Sequence, residues 1–362
     1  MYPSVIEDDE TNIEFEVRIR VLKDQIGKAF ELVGEMLHTS KLEDTKRLAE
    51  LITQAKSRLQ ATLSSSGHIV AAMRSMSYGS LYGYYQDATS GIAYYDAICQ
   101  MDVQMKKDPS VVVNKLKELV QKVFVKQRLL ISFTADMESY KESKPVLCGF
   151  IDTFMPGAEA TGSISFLPQQ KNEGFTDASA IQYVARSGNY VKHGYSYNGA
   201  IRLMRIILSY DYLWNNVRVL GGAYGCSSSF GRTGESYFVS YRDPNLSKTN
   251  AVYEGIPKYL RDFQAEERDM TKYIIGTFGA LDAPVNPEGK GNRSMTAYLQ
   301  KITLEDIQKE RDEILNATVE DIRGLAPLVE AVLSDGNFCV VGNEQNIHNE
   351  KGMFFNIRKL NE

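Results

Sequence analysis

Histidine and cysteine are scarce, with four of each in 362 residues, and their spacing excludes more than their number does. Cys99, Cys148, Cys226 and Cys339 form no CxxC pair, which argues against a zinc ribbon and a disulfide framework and leaves reduced, mostly buried thiols as the expectation. None of His38, His68, His193 and His348 stands three or four residues from another, so the helical zinc motifs HExxH and HxxEH are absent and no metal is expected on this chain. Lone His193, beside Lys192 and Gly194, is open to ligand contact but carries no chemistry by itself. Ser227-Ser228-Ser229 lacks a neighbouring histidine and a nucleophile elbow, so it offers no hydrolase serine. No apolar run approaches the roughly 18 residues that cross a bilayer. Met1-Tyr2-Pro3 leads into Glu7-Asp8-Asp9-Glu10, not into a signal sequence. Asn-x-Ser/Thr matches at Asn245, Asn292 and Asn316 matter only for secretion. With 41 basic residues against 46 acidic ones and no dense basic run, nucleic acid is not an expected partner. The chain reads as soluble, away from membranes, with the cytoplasm as its expected compartment.

What is present is patterned. The length suits two domains. Ile13, Phe15, Val17, Ile19 and Val21 alternate with charged residues at a strand's period of two, and Ile26, Phe30, Val33 and Leu37 follow at helical spacing. A second helix is expected from Asp44 to Leu63. Tyr78, Tyr82, Tyr84, Tyr85, Tyr94 and Tyr95 read as packing aromatics more than as the lining of a groove.

The two halves repeat in layout. Tyr224–Phe230, the hairpin turn Gly231-Arg232-Thr233-Gly234, the strand Ser236–Arg242 and a helix opening at Asp243-Pro244-Asn245 mirror Tyr2–Ile6, an acidic turn, the strand Ile13–Leu22 and a helix opening at Lys23-Asp24. Each half then closes on a short apolar strand, Leu129–Phe133 or Phe338–Val341. The second half alone carries an earlier strand, Gln182–Tyr190, and a long helix, Gly199–Val219. On that comparison about fifty residues are missing ahead of the first half, and a longer parent protein is expected.

The segment Leu213 to Gly225 is the most specific. An apolar helix breaks at Gly221-Gly222, where backbone angles closed to other residues are allowed and another main chain can come close. Arg218 offers a planar fork of donors and Tyr224 a hydroxyl. Two readings stand: Arg218 caps the carbonyls of the helix end beside a sheet aromatic, or the pair grips an extended peptide. Cys226, next to them, reads as buried packing, with redox tuning as the alternative.

The stretches Arg218-Val219-Leu220-Gly221-Gly222-Ala223-Tyr224-Gly225 and Phe238-Val239-Ser240-Tyr241-Arg242-Asp243-Pro244-Asn245-Leu246 resemble the carboxy-terminal half of presequence proteases, zinc metalloendopeptidases of the pitrilysin/insulinase superfamily. The likeness extends through Asp44–Leu48, Lys56–Gln60, Ser66-Gly67-His68 and Asp87–Ile92, and so covers nearly the whole chain. It implies an α+β fold of two homologous domains, each a mainly antiparallel sheet packed against helices: a third domain at 1–142 lacking its first strand and helix, a linker or helical hairpin at 143–174, and a complete fourth domain at 175–362. It also implies that zinc and the hydrolytic machinery belong to an amino-terminal catalytic half, which is the expected partner together with unfolded peptides. Arg218 and Tyr224 then bind substrate main chain, Gly221 and Gly222 permit its approach, and no catalytic residue lies here. The rival implication is a non-enzymatic scaffold or partner subunit of the same superfamily.

Overall fold

The computed structural model describes residues 2–3, 11–157, 166–169 and 171–360. Its centre is a six-stranded mixed sheet. In chain order the strands are β1 (Tyr2–Pro3), β2 (Thr11–Asn12), β3 (Asn172–Asp177), β4 (Gln182–Asn189), β5 (Gly225–Phe230), β6 (Glu235–Tyr241), β7 (Asn337–Asn343) and β8 (Asn356–Lys359). β1 and β2 pair only with each other, and the remaining six run β5-β6-β4-β7-β3-β8. β5, β6, β4 and β7 are antiparallel neighbours, whereas β7, β3 and β8 are parallel.

Helices cover both faces, and the composition of β7 records it. Phe338 and Val340 enter one buried cluster with Ile201, Met204, Val217, Leu260 and Val329, while Cys339 and Val341 enter another with Leu63, Val70, Ala71, Ile92 and Tyr95. An apolar run without alternation is what a strand buried on both sides requires. The first face is covered by Ala200–Ile207 and its continuation, Ile256–Arg261 and Ala326–Ser334; the second by Thr45–Ser65, Gly67–Met76 and Ile92–Lys107. The first half of the chain thus supplies a layer to the sheet of the second.

That layer is locked by polar contacts as well as by packing. A Cβ on Gly67 would overlap the Tyr183 ring, so glycine lets its helix lie directly on β4. Buried Asp87 and Glu173 share Arg74, whose Nη1 donates to Asp87 at 2.7 Å and Nε to Glu173 at 2.8 Å, and Tyr78 donates to the same Glu173 oxygen at 2.6 Å. Tyr78 and Tyr95 are buried, as packing aromatics should be, while Tyr84 stays exposed. The expected helix from Asp44 is Thr45–Ser65, with Asp44 accepting from the Arg47 amide at 3.0 Å as its cap.

Three expectations are corrected. Residues 13–22 join no sheet: their apolar side chains are exposed, Phe15 at 66%, although its ring meets Phe124 at 5.3 Å. Alternation prepares one face of a strand, but a strand also needs a neighbour for its amides and carbonyls, and among the described residues none lies alongside. Leu129–Phe133 is likewise no strand; Leu129 and Ile131 pack on a helical pair, Ile26–Thr39 against Met137–Asp152, joined by Phe30 and Phe150 at 4.8 Å. A separate sheet for the first half is therefore not seen among the described residues, and the boundary expected at 142/143 falls inside Met137–Asp152. The expected first strand Tyr2–Ile6 and its acidic turn fall largely outside the described residues. The thiols are free, yet only Cys339 is buried; Cys99 and Cys226 are half-buried and Cys148 is exposed.

Candidate functional site

The long helix that precedes the diglycine changes pitch. It is α-helical over Ala200–Ile207 and π-helical over Leu208–Tyr212 and Trp214–Val219, with the Leu220 amide reaching back five residues to the Asn215 carbonyl at 2.9 Å. Such widened turns concentrate at functional sites. Leu213 and Val217 stay in the core, while Trp214, Val219 and Leu220 face outward. A Cβ on Gly221 would strike the Val217 carbonyl, and Gly222 sits at φ +80°, so each glycine is demanded for a different reason.

The second distinctive segment holds the first in place. Asn245 Nδ2 donates to the Gly221 carbonyl at 2.5 Å, and buried Asp243 accepts from the Asn245 amide at 2.9 Å and from Thr249 Oγ1 at 2.7 Å. Burial raises the Asp243 carboxyl above its ordinary range in spite of those bonds. Asn245 is thus a fastening of the diglycine turn. Next to it, Arg242 adopts φ +50°, uncommon for a residue with a side chain, where β6 ends.

Arg218 lies between two rings, its guanidinium carbon 4.2 Å from the Trp214 centroid and 5.4 Å from that of Tyr224. Its Nη1 donates to the Tyr224 carbonyl at 2.8 Å. Arg218 therefore caps no carbonyl of its own helix. Tyr224 is 65% exposed, and its hydroxyl has no hydrogen-bond partner among the described residues. The Tyr224 ring meets Tyr241 at 5.9 Å, and Tyr241 meets His68 edge-on at 4.7 Å, so the aromatic contacts run on to the helix Gly67–Met76. The arrangement holds a cation and a phenol at the surface on a rigid turn, with donors to spare for main-chain carbonyls.

The other sequence candidates are accounted for within the chain. Cys226 packs against the core, and burial raises its thiol to about 12, which keeps it protonated and unreactive at neutral pH. His193 Nε2 lies 2.7 Å from Asp335 Oδ1. Gly231–Gly234 is a hairpin turn closed by the Gly231 amide on the Glu235 carbonyl at 2.7 Å. Among the described residues no group of three or more His, Cys, Asp or Glu is placed to hold a metal ion, so they do not fit zinc, and no described helix is long and apolar enough to cross a membrane. Sequence reasoning missed Trp214, Asn245 and Arg205. The four-residue spacing of Trp214 and Arg218 on one helix was the available signal for the first.

A family model described as the PreP C-terminal domain matches residues 172–344, and one described as associated with peptidase family M16, subfamily C, matches residues 1–101. The chain is similar to Protein HypA of Clostridium perfringens, 39% identical over 99% of this chain and 37% of that protein. It is also similar to Presequence protease 1, chloroplastic/mitochondrial, of Arabidopsis thaliana, 28% identical over 99% of this chain and 34% of that one. The chain spans about a third of the length of these relatives. In fold it is similar to a peptidase M16 inactive domain from Pseudomonas fluorescens, with a TM-score of 0.57 and 15% identity over 88% of this chain and 75% of that one. Pitrilysin gives a TM-score of 0.52 and 12% identity over 88% of this chain and 33% of its own.

Proposed function

This chain belongs to the pitrilysin superfamily of peptidases, corresponding to the carboxy-terminal, non-catalytic half of presequence proteases, and from that premise we propose that it is the substrate-holding half of a zinc metalloendopeptidase that degrades short unfolded peptides. Zinc and the hydrolytic residues are assigned to an amino-terminal half, the principal partner. In this reading Arg218 and Tyr224 hold the main chain of an extended peptide in register, and Gly221 and Gly222 let it approach. The sequence-based division into a third domain (1–142), a connector (143–174) and a fourth domain (175–362) is carried as part of the same proposal. One observation supports the clamp above the rest: both side chains stand at the surface of a turn whose geometry is over-determined by two glycines and by Asn245.

Removing a charged donor from a bound main chain costs about 1.5–3 kcal/mol, or roughly ten- to a hundredfold in rate or affinity. Arg218→Ala in the full-length enzyme should lower kcat/KM for an unstructured peptide by about that factor with zinc content intact. Unchanged peptide cleavage would remove the clamp.

A further inference from the structure

β5 is the outermost strand of the sheet, and its register dictates which main-chain groups look outward. Phe230 faces Ser236, and one position further the Gly231 amide donates to the Glu235 carbonyl at 2.7 Å. In an antiparallel pair bonded and unbonded positions alternate. Gly231, Ser229, Ser227 and Gly225 are therefore bonded to β6, and Cys226, Ser228 and Phe230 direct their amides and carbonyls away from it. Among the described residues no strand lies on that side.

Two arginines of the preceding helix reach this edge. Arg205 Nε donates to the Ser228 carbonyl at 3.0 Å, as Arg218 does to that of Tyr224 at 2.8 Å. Neither guanidinium pairs with a carboxylate among the described residues, and Arg205 is exposed, so each keeps donors for an incoming group. The bracketed stretch is about 13 Å long at the usual rise. At its middle Cys226 turns its side chain into the core and its main chain outward. β5 carries none of the proline or charge that commonly guards an open edge; it reads Gly-Cys-Ser-Ser-Ser-Phe.

We infer that β5 is a docking edge on which an extended peptide adds as a seventh strand, exchanging hydrogen bonds with the main chain of Cys226 while Arg205 and Arg218 hold its carbonyls at either end. The ligand class is an unfolded peptide recognised by its backbone, because the three serines leave room for varied side chains. Arg205 becomes a binding residue alongside Arg218. The inference rests on the peptide-holding reading above and adds to it a surface and a residue.

The test is fluorescence anisotropy of the whole chain with a short labelled peptide of alternating valine and threonine, made unmodified and with N-methyl groups on either of the two alternating sets of amides. The expected result is binding of the unmodified probe, weakened about tenfold by one methylation pattern and much less by the other, as the loss of edge-facing donors requires. Arg205→Ala should weaken the unmodified probe by a similar factor at unchanged thermal stability. Equal affinity for all three probes, or failure of the unmodified probe to bind, overturns the inference. Arg205→Ala that tightens binding or makes the chain self-associate also overturns it, since the arginine would then be guarding the edge. If Arg218→Ala weakens binding while Arg205→Ala and methylation do not, the clamp stands and the edge falls. If methylation and Arg205→Ala act while Arg218→Ala does not, the edge stands and the clamp falls.

Discussion

At the scale of single residues, the diglycine turn is held by constraints that a side chain cannot meet. Gly222 lies in left-handed backbone, where alanine costs about 1–2 kcal/mol. Exposed Gly276, in the helix Glu267–Leu281, has open space around it, and alanine there gains about 0.5–1 kcal/mol of helix propensity. Urea unfolding of Gly222→Ala and Gly276→Ala should accordingly shift in opposite directions with unchanged m-values; equal shifts would mean that the turn is not conformationally demanding. Gly221, Gly222, Arg218 and Tyr224 were legible because paired glycines carry backbone meaning in the sequence itself. Asn245 and Arg205 were not, because their partners, the carbonyls of Gly221 and Ser228, lie more than twenty residues away and nothing local announces them.

At the scale of elements, the helix Gly67–Met76 is joined to the sheet by Arg74 between Asp87 and Glu173. Removing one partner of a buried ion pair costs about 3–5 kcal/mol, because the charges left behind have no water. Arg74→Ala should therefore destabilise the chain by that order in chemical denaturation, whereas Arg47→Ala, at an exposed pair with Glu50, should change it by less than about 1 kcal/mol. Helices were legible from their period, as Ile26–Thr39 and Thr45–Ser65 attest, and so were β4, β6 and β7. Residues 13–22 were misread because a period of two describes which side chains share a face and says nothing of the neighbour that a ladder requires. The packing of the early helices on the late sheet left no mark in the pattern either: an apolar stripe does not name what it covers.

At the scale of the whole molecule, two buried glutamates tie separate layers together. Burial opposes charge on Glu173, but Arg74 and Tyr78 bring its carboxyl below the ordinary range; burial likewise opposes charge on Glu310, which Tyr197, Arg202 and Arg232 overcome. A carboxyl lowered in the folded state contributes stability that is complete above its unfolded pKa and is lost as pH falls through the folded value. Asp243, raised by burial, has the opposite sign and its contribution fades as pH rises through its folded value. With two glutamates against one aspartate, Tm should fall on acidification below the ordinary glutamate range, and Glu310→Gln should flatten that fall; a Tm indifferent to pH there would count against these networks. The strand order has one more consequence. β7 separates β4 from β3, yet it is translated some 150 residues after them. At about 5–20 residues per second, a nascent chain waits on the order of ten seconds with its two earlier strands unjoined and its first helices without a platform, an interval in which chaperones, not contacts of its own, must keep it from aggregating.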